Sequence, residues 1–359
     1  MSAAVLPQGQ QGSGRWSAPA VLGLGFLLLA ITFIAGSARG AYAISPFQLW
    51  TVLLDLLGLS SGAAQPSPEH LVFMNIRLPR LLLGVAAGSA LGLSGALMQG
   101  LFRNPLADPG LIGVSSGAAL AAGVTIVLGS LWFPEMPRTL GSWTLVLMAF
   151  LGSLLVTALV YALSQQDGGT RVGLMLLAGI AINALAGAGL GFLTFLASDE
   201  QLRSLQFWLL GSLGGARWSA VTLVVGTVLV AVGAGLTLAR PLNAIALGEA
   251  QAALLGVPVE RVKRLAVLVT ALAVGAVTAT TGIIGFIGLV APHCVRLVAG
   301  PDHRVVLPGS ALLGAALVLA ADSVARTAVQ PAELPLGVLT AFVGVPFFLL
   351  LLRHFRGRL

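Results

Sequence analysis

From Ala18 to Ala35 the chain reads APAVLGLGFLLLAITFIA without a charged side chain, and further apolar runs recur at roughly 79–101, 108–130, 142–163, 172–196, 218–238, 265–284, 286–299, 307–325 and 335–352. About 20 apolar residues in a helix match the hydrocarbon thickness of a bilayer. No water satisfies peptide groups inside lipid, so the backbone must close its own hydrogen bonds, and a helix does so within one segment. The pattern predicts an all-α polytopic membrane protein with about ten transmembrane helices. Composition agrees: 57% of the residues are hydrophobic and 9% charged, where a soluble domain carries about 25% charged residues.

Residues 1–17 are polar and rich in Gly, Gln and Ser, and are expected to be a disordered cytoplasmic N-terminus. Ala41-Tyr42-Ala43 resembles a signal-peptidase site, but the apolar core before it is longer than a signal core, so the reading favours a retained first span. Pro46 to Leu59 reads as an amphipathic interfacial stretch with Trp50 at headgroup level, and Gly62 to Pro68 as a loop.

An even number of spans puts both termini on one side. With that side cytoplasmic, the inside collects Arg15, Arg103, Arg171, Arg240, Arg261, Lys263, Arg264, Arg296, Arg304, Arg353, Arg356 and Arg358. The outside keeps Arg39, Arg77, Arg80, Arg138, Arg203, Arg217 and Arg326. The bias follows the positive-inside rule, and the outward arginines call for another explanation. Gly84, Gly88, Gly92 and Gly95 form a stripe suited to close helix packing.

Several chemistries lack the residues they need. The single cysteine, Cys294, gives no disulfide framework and no thiolate metal cluster. An integral-membrane enzyme needs clustered acids or histidines, and His70, His293, His303 and His354 are scattered. An ion-coupled carrier needs a mid-span acid; Asp322 lies instead near a span end, four residues before Arg326, where the two can pair. The net charge of +7 is dispersed among apolar runs and does not form a nucleic-acid face. No GxxxxGK[ST] pattern occurs, and the sole lysine is Lys263, so the sequence carries no Walker A nucleotide site of its own.

The long polar interruption is Pro241 to Arg264, PLNAIALGEAQAALLGVPVERVKR, with Ala246, Leu247, Ala250, Leu254 and Leu255 on an apolar face. It reads as short helices at the membrane surface offering a knob to a soluble partner; a solvated loop is the alternative.

Three stretches carry a resemblance: IRLPRLLLGVAAGSALGLSGALMQGLFRNPLADPGLIGVSSGA from Ile76, LRSLQFWLLGSLGGARW from Leu202, and Leu247 onward through GFIGLVAPH, DHRVVLPG and AELPLG. Together, from about Ile76 to Leu352, they resemble the permease family of type II ABC importers for haem, iron-siderophores and cobalamin. The resemblance implies one transmembrane permease domain over 18–359 with a cytoplasmic coupling segment at 240–264. It implies a homodimer in the inner membrane with two cytoplasmic ATPases, which use ATP and Mg, and one periplasmic substrate-binding protein. This chain is expected to bind no cofactor or metal.

By the same resemblance Glu249, Leu255, Gly256 and Arg261 serve ATPase coupling. Arg77, Arg80 and Arg326 pair with acidic residues of the binding protein, with Arg77 and Arg80 projecting from a span mouth on either side of Pro79. Met98, Gln99, Asn104, Ser115 and Ser116 lie where a dimer pathway would be lined. Cobalamin-type relatives place small hydroxyl residues at a gate where this chain reads GGTRVG, Gly168 to Gly173. Pro292-His293 belongs to the general family pattern, so His293 is read as structural and not as a haem ligand. The wordings RNPLADPGLIGVSSGAALAA and GPDHRVVLP lean toward haem as cargo, with ferric siderophores next and cobalamin third.

Overall fold

The apolar runs are helices, held around two central ones. The computed structural model describes residues 16–40, 45, 47–48, 50–51, 54, 67–132, 141–166, 168–329 and 332–355. The expected disorder of residues 1–17 falls mostly outside these, as do the interfacial stretch at 46–59 and most of the loop at 62–68. In chain order the helices are α1 Ala18–Ala38, α2 Pro68–Phe102, α3 Val114–Trp132, α4 Trp143–Leu163, α5 Val172–Leu196, α6 Asp199–Leu210, α7 Trp218–Thr237, α8 Ala239–Ala246, α9 Glu249–Leu254, α10 Val259–Thr281, α11 Ile287–Ala299, α12 His303–Thr327 and α13 Leu336–Phe355. Between α4 and α5 an antiparallel hairpin of two-residue strands, β1 Gln165–Gln166 and β2 Gly169–Thr170, interrupts the helical pattern.

Among the described residues seven helices, α1, α2, α4, α5, α7, α10 and α12, are long and apolar enough to cross a membrane. The three remaining apolar runs give α3, α11 and α13, whose apolar stretches among the described residues are shorter: Val114–Gly129, Ile287–Ala299 and Leu336–Leu350. Local backbone sets where two of these helices begin. Before α3, Asp108 caps a 3-10 turn at Pro109–Ile112, and Gly113 (φ +84°) ends it in the left-handed region. Before α11, Gly282 (φ +71°) and Phe286 (φ +66°) keep 282–286 non-helical.

α2 and α10 form the centre, with 83% and 78% of their spans buried, whereas α1 and α5 lie at the rim with 11% and 17%. Glycine makes the central contact. A methyl group at Gly88 would lie 2.2 Å from the Gly314 carbonyl of α12, one at Gly92 2.0 Å from that of Ser310, and one at Gly95 1.8 Å from that of Gly288 in α11. The stripe legible in the sequence is where two backbones touch.

α2 begins at Pro68, eleven positions before the start expected at Pro79. Proline inside a helix clashes with the carbonyl four residues back. Here a π-helical turn, Phe73–Arg77, widens the helix just ahead of it, with the Leu78 N–H bonded to the Phe73 carbonyl, and the helix passes through. The result is a molecule with two distinct ends. At one, the start of α2, the end of α12 and the end of α1 meet, with Leu81, Arg326 and Gly36 in contact. At the other, Gly100 of α2 touches His303 of α12 and Leu242 of α8.

Candidate functional site

At the first end three arginines face two carboxylates. Arg80 donates Nε and Nη2 to Asp322 at 2.9–3.2 Å and Nη1 and Nη2 to Glu333 at 2.9 and 2.8 Å. Arg326 pairs with Asp322 through Nε at 3.0 Å, the i, i+4 pair expected from the sequence, and donates to the carbonyls of Arg39 at 3.0 Å and Gly36 at 3.3 Å. Arg77 donates to the Ser37 carbonyl.

Arg77 and Arg80 therefore do not project from a span mouth: Arg77 is 4% exposed and Arg80 9%. The helix continues through Pro79, so both side chains are carried into the packed end of the bundle, where each charge needs a partner. Glu333, not singled out in the sequence, is the open member, with 44% of its side chain exposed. The hydrogen bonds from Arg80 hold its carboxyl below the usual carboxylate range despite partial burial.

At the opposite end the Pro241–Arg264 stretch folds as two short helices, α8 and α9, hinged at Gly248 (φ +124°) and closed at Gly256 (φ +79°). Leu242, Ile245 and Ala252 anchor it and are fully buried. Its remaining leucines face outward: Leu247 is 69%, Leu254 89% and Leu255 67% exposed. Arg261 is also exposed, at the start of α10. Asn243 joins α8 to the start of α12, donating to Asp302 at 2.6 Å and accepting from the His303 N–H at 2.9 Å. The Arg304 N–H, then the Asn243 amide, hold the Asp302 carboxyl below its ordinary range.

Glu249, the first residue of α9, accepts from Lys263 Nζ at 2.6 Å. Lys263 is 2% exposed. The sequence marked it only as the lone lysine, because nothing in a linear reading says that a cation beside a loop is buried.

The five pathway residues are divided. Met98 and Gln99 belong to the packed centre, at 0% and 3% exposed. Gln99 leans on the Gly288 carbonyl at 3.4 Å and accepts from Arg296, so neither lines an open route in this conformation. Asn104 is exposed and caps its own turn, accepting from the Leu106 N–H at 2.9 Å. Ser115 is half-buried at the start of α3. Ser116 lies 2.5 Å from Asn183 Oδ1 of α5 and 3.1 Å from the Gly113 carbonyl, and Asn183 donates to the Gly110 carbonyl at 3.1 Å. Asn183 was missed; its signal was a lone amide in the run AGIAINALAGAG. His293 is 5% exposed and meets Phe347 edge-on, ring centroids 6.3 Å apart. Among the described residues no three His, Cys, Asp or Glu side chains gather as metal ligands.

Residues 28–354 match the profile of the FecCD transport family. The hemin transport system permease protein HmuU of Yersinia pestis is 46% identical over 331 residues, 92% of this chain and 94% of that one. The cobalamin import system permease protein BtuC of Halobacterium salinarum is 44% identical over 80% of this chain and 75% of its own. A solved structure of an inward-facing ABC transporter assigned to the metal-chelate type superposes with a TM-score of 0.80 at 31% identity, covering 94% of this chain and 99% of that one.

Proposed function

The chain belongs to the FecCD transport family as the non-catalytic permease subunit of an ABC importer, with the type II importer transmembrane fold, and on that premise we propose that it imports haem. The observation that carries the cargo is the 46% identity to a hemin permease along nearly the whole of both chains. A cobalamin reading has its own support in permeases that are 44% and 38% identical. An ion-coupled carrier is set aside by the family.

The assembly we infer has two copies of this chain, two cytoplasmic ATPases and one periplasmic binding protein in the inner membrane, both termini being cytoplasmic. The three shorter apolar helices would complete ten crossings. The largely apolar, outward faces of α5 and α13, with Phe192, Phe195, Phe342 and Val343 exposed, suit lipid and a second copy. The coupling segment 240–264 supplies the ATPase contact: buried anchors under exposed Leu254 and Leu255 make a rigid apolar knob, with Glu249, Gly256 and Arg261 setting its pose.

Arg77, Arg80 and Arg326 are proposed as the docking end. Arg80 is shared between buried Asp322 and half-exposed Glu333, and Glu333 is the partner that an incoming carboxylate could replace on Arg80. Transport then follows from geometry: docking at one end and ATP-driven movement of α9 at the other open the pathway to one side at a time.

The test is uptake into proteoliposomes holding the permease, its ATPase and its binding protein, with hemin, cyanocobalamin and a ferric siderophore supplied separately. ATP-dependent hemin accumulation at least tenfold above the others is expected. Faster cyanocobalamin uptake would replace haem by cobalamin as the cargo.

A further inference from the structure

A lysine placed out of water keeps its charge only if each of its three N–H donors finds an acceptor. Lys263 meets that condition with acceptors from three different elements. Nζ donates at 2.6 Å to Glu249 of α9, at 2.8 Å to the Thr170 carbonyl of β2, and at 3.1 Å to Glu260 in its own helix α10. Glu260 closes the ring by accepting from the Thr170 N–H at 2.8 Å. The same short strand is thus held through both its N–H and its C=O.

The hairpin on which this ring pulls is stiff. Gln165 Nε2 donates to Thr170 Oγ1 at 2.9 Å, which lies 3.2 Å from the Tyr161 hydroxyl near the end of α4. The Arg171 N–H returns to the Ser164 carbonyl at 3.0 Å. α5 begins at Val172, two residues beyond Thr170, so little slack separates the clamped strand from a rim helix whose span is only 17% buried. α9, by contrast, joins α8 through Gly248, whose φ of +124° lies in the region that favours glycine.

We infer that Lys263 is a positioning residue for transport: its ammonium ties the coupling helix α9 to the 165–170 hairpin, so that displacement of α9 is carried into the start of α5. The inference rests on the reading of 240–264 as the ATPase contact. A purely local role would need no acceptor from another element, whereas two of the three acceptors here belong to parts of the chain 14 and 93 residues away.

The experiment uses the complete reconstituted importer, and transport per ATP is the readout that a stabilising role does not move. Lys263→Met is expected to keep its ATPases and a basal hydrolysis within about twofold of native, while cargo moved per ATP falls at least tenfold. Glu260→Ala, whose side chain is 40% exposed in the native protein, loosens the same hairpin tie if Lys263→Met folds poorly, and a loss of at least threefold is expected. Spin labels at Gln166 and Ala250 in a Cys294→Ser background should give a narrow distance distribution that broadens in both variants. Native transport per ATP in the variants overturns the inference, and so does lost coupling with an unbroadened distance. Leu254→Asp separates the two ideas: if it leaves the ATPases attached, the coupling-segment reading fails, whatever Lys263 does.

Discussion

Arg80 and Asp322, 242 residues apart in sequence, meet in an ion pair with Nε and Nη2 on the carboxylate at 2.9–3.2 Å, at the end of the bundle opposite the 240–264 stretch. Asp322 serves Arg326 as well, so one carboxylate 2% exposed holds α2 and α12 together at their shared end.

Replacing Asp322 by alanine takes a carboxylate from two guanidinium groups in the packed end, leaving Arg80 with Glu333 and Arg326 with two backbone carbonyls. Removing one partner of a buried pair costs about 3–5 kcal/mol, and the expected result is a large drop in the detergent melting temperature. Arg80→Met with Asp322→Leu, which removes Arg80 and its carboxylate together, is expected to melt closer to native. The measurement is loss of the monodisperse size-exclusion peak on heating; equal melting of Asp322→Ala and native protein would refute the role.

Glu333 gives the pH dependence its sign. Arg80 depresses its carboxyl in the folded protein, so the stability it contributes is present above the ordinary glutamate value of about 4.3 and is lost as pH falls through the lower folded value. Melting of the native protein should therefore be unaffected by this group from pH 8 to 5 and fall below about pH 4. Glu333→Gln should flatten its share of that fall and, by freeing Arg80, tighten binding-protein docking at neutral pH several-fold. Unchanged docking in that variant would remove Glu333 as the exchangeable partner.

Gly88 and Gly233 make a controlled pair. A Cβ at Gly88 meets the Gly314 backbone at 2.2 Å, whereas one at Gly233 of α7 meets nothing within 4 Å. Gly88→Ala should destabilise by about 1–3 kcal/mol or more through overpacking. Gly233→Ala should be neutral or stabilising by under about 1 kcal/mol, since alanine is the better helix former. Thermal melting of the two variants side by side decides it.

Leu254 and Gly256 test the knob. Leu254→Asp places a charge on a side chain 89% exposed, which the fold tolerates and an apolar cleft does not. Co-purification of the ATPase should fall at least tenfold with native melting. Gly256 has open space for a Cβ but a φ of +79°, so Gly256→Ala meets only backbone strain, of order 1–2 kcal/mol. It should weaken ATPase retention less than Leu254→Asp and impair transport; full transport in both variants would remove the segment from coupling.

Most of the architecture was legible along the chain because lipid imposes a length and a polarity on each crossing, and the runs that met both became helices. The glycine stripe at 84, 88, 92 and 95 was legible for the same reason: a repeated absence of side chain has one principal use in a bundle. The local pair Asp322 and Arg326 followed from helical spacing alone. The short helices of the 240–264 stretch were equally open to reading from its apolar face.

What the chain order could not disclose is who stands beside whom. Arg77 and Arg80 are expected in the open because they flank a stiff Leu78-Pro79 at the mouth of a span read as starting at Pro79; the helix instead runs through a π turn at Phe73–Arg77, and only folding brings Asp322 and Glu333 to meet Arg80. Met98 is fully buried, Gln99 is held against α11, and Lys263 gathers acceptors from residues 14 and 93 positions distant. The sequence by itself determined that this protein is a bundle of lipid-crossing helices, because transfer into oil is a property of each segment. The tertiary structure decided which charges are buried and paired, because the environment of a charge is set by neighbours that local sequence does not specify.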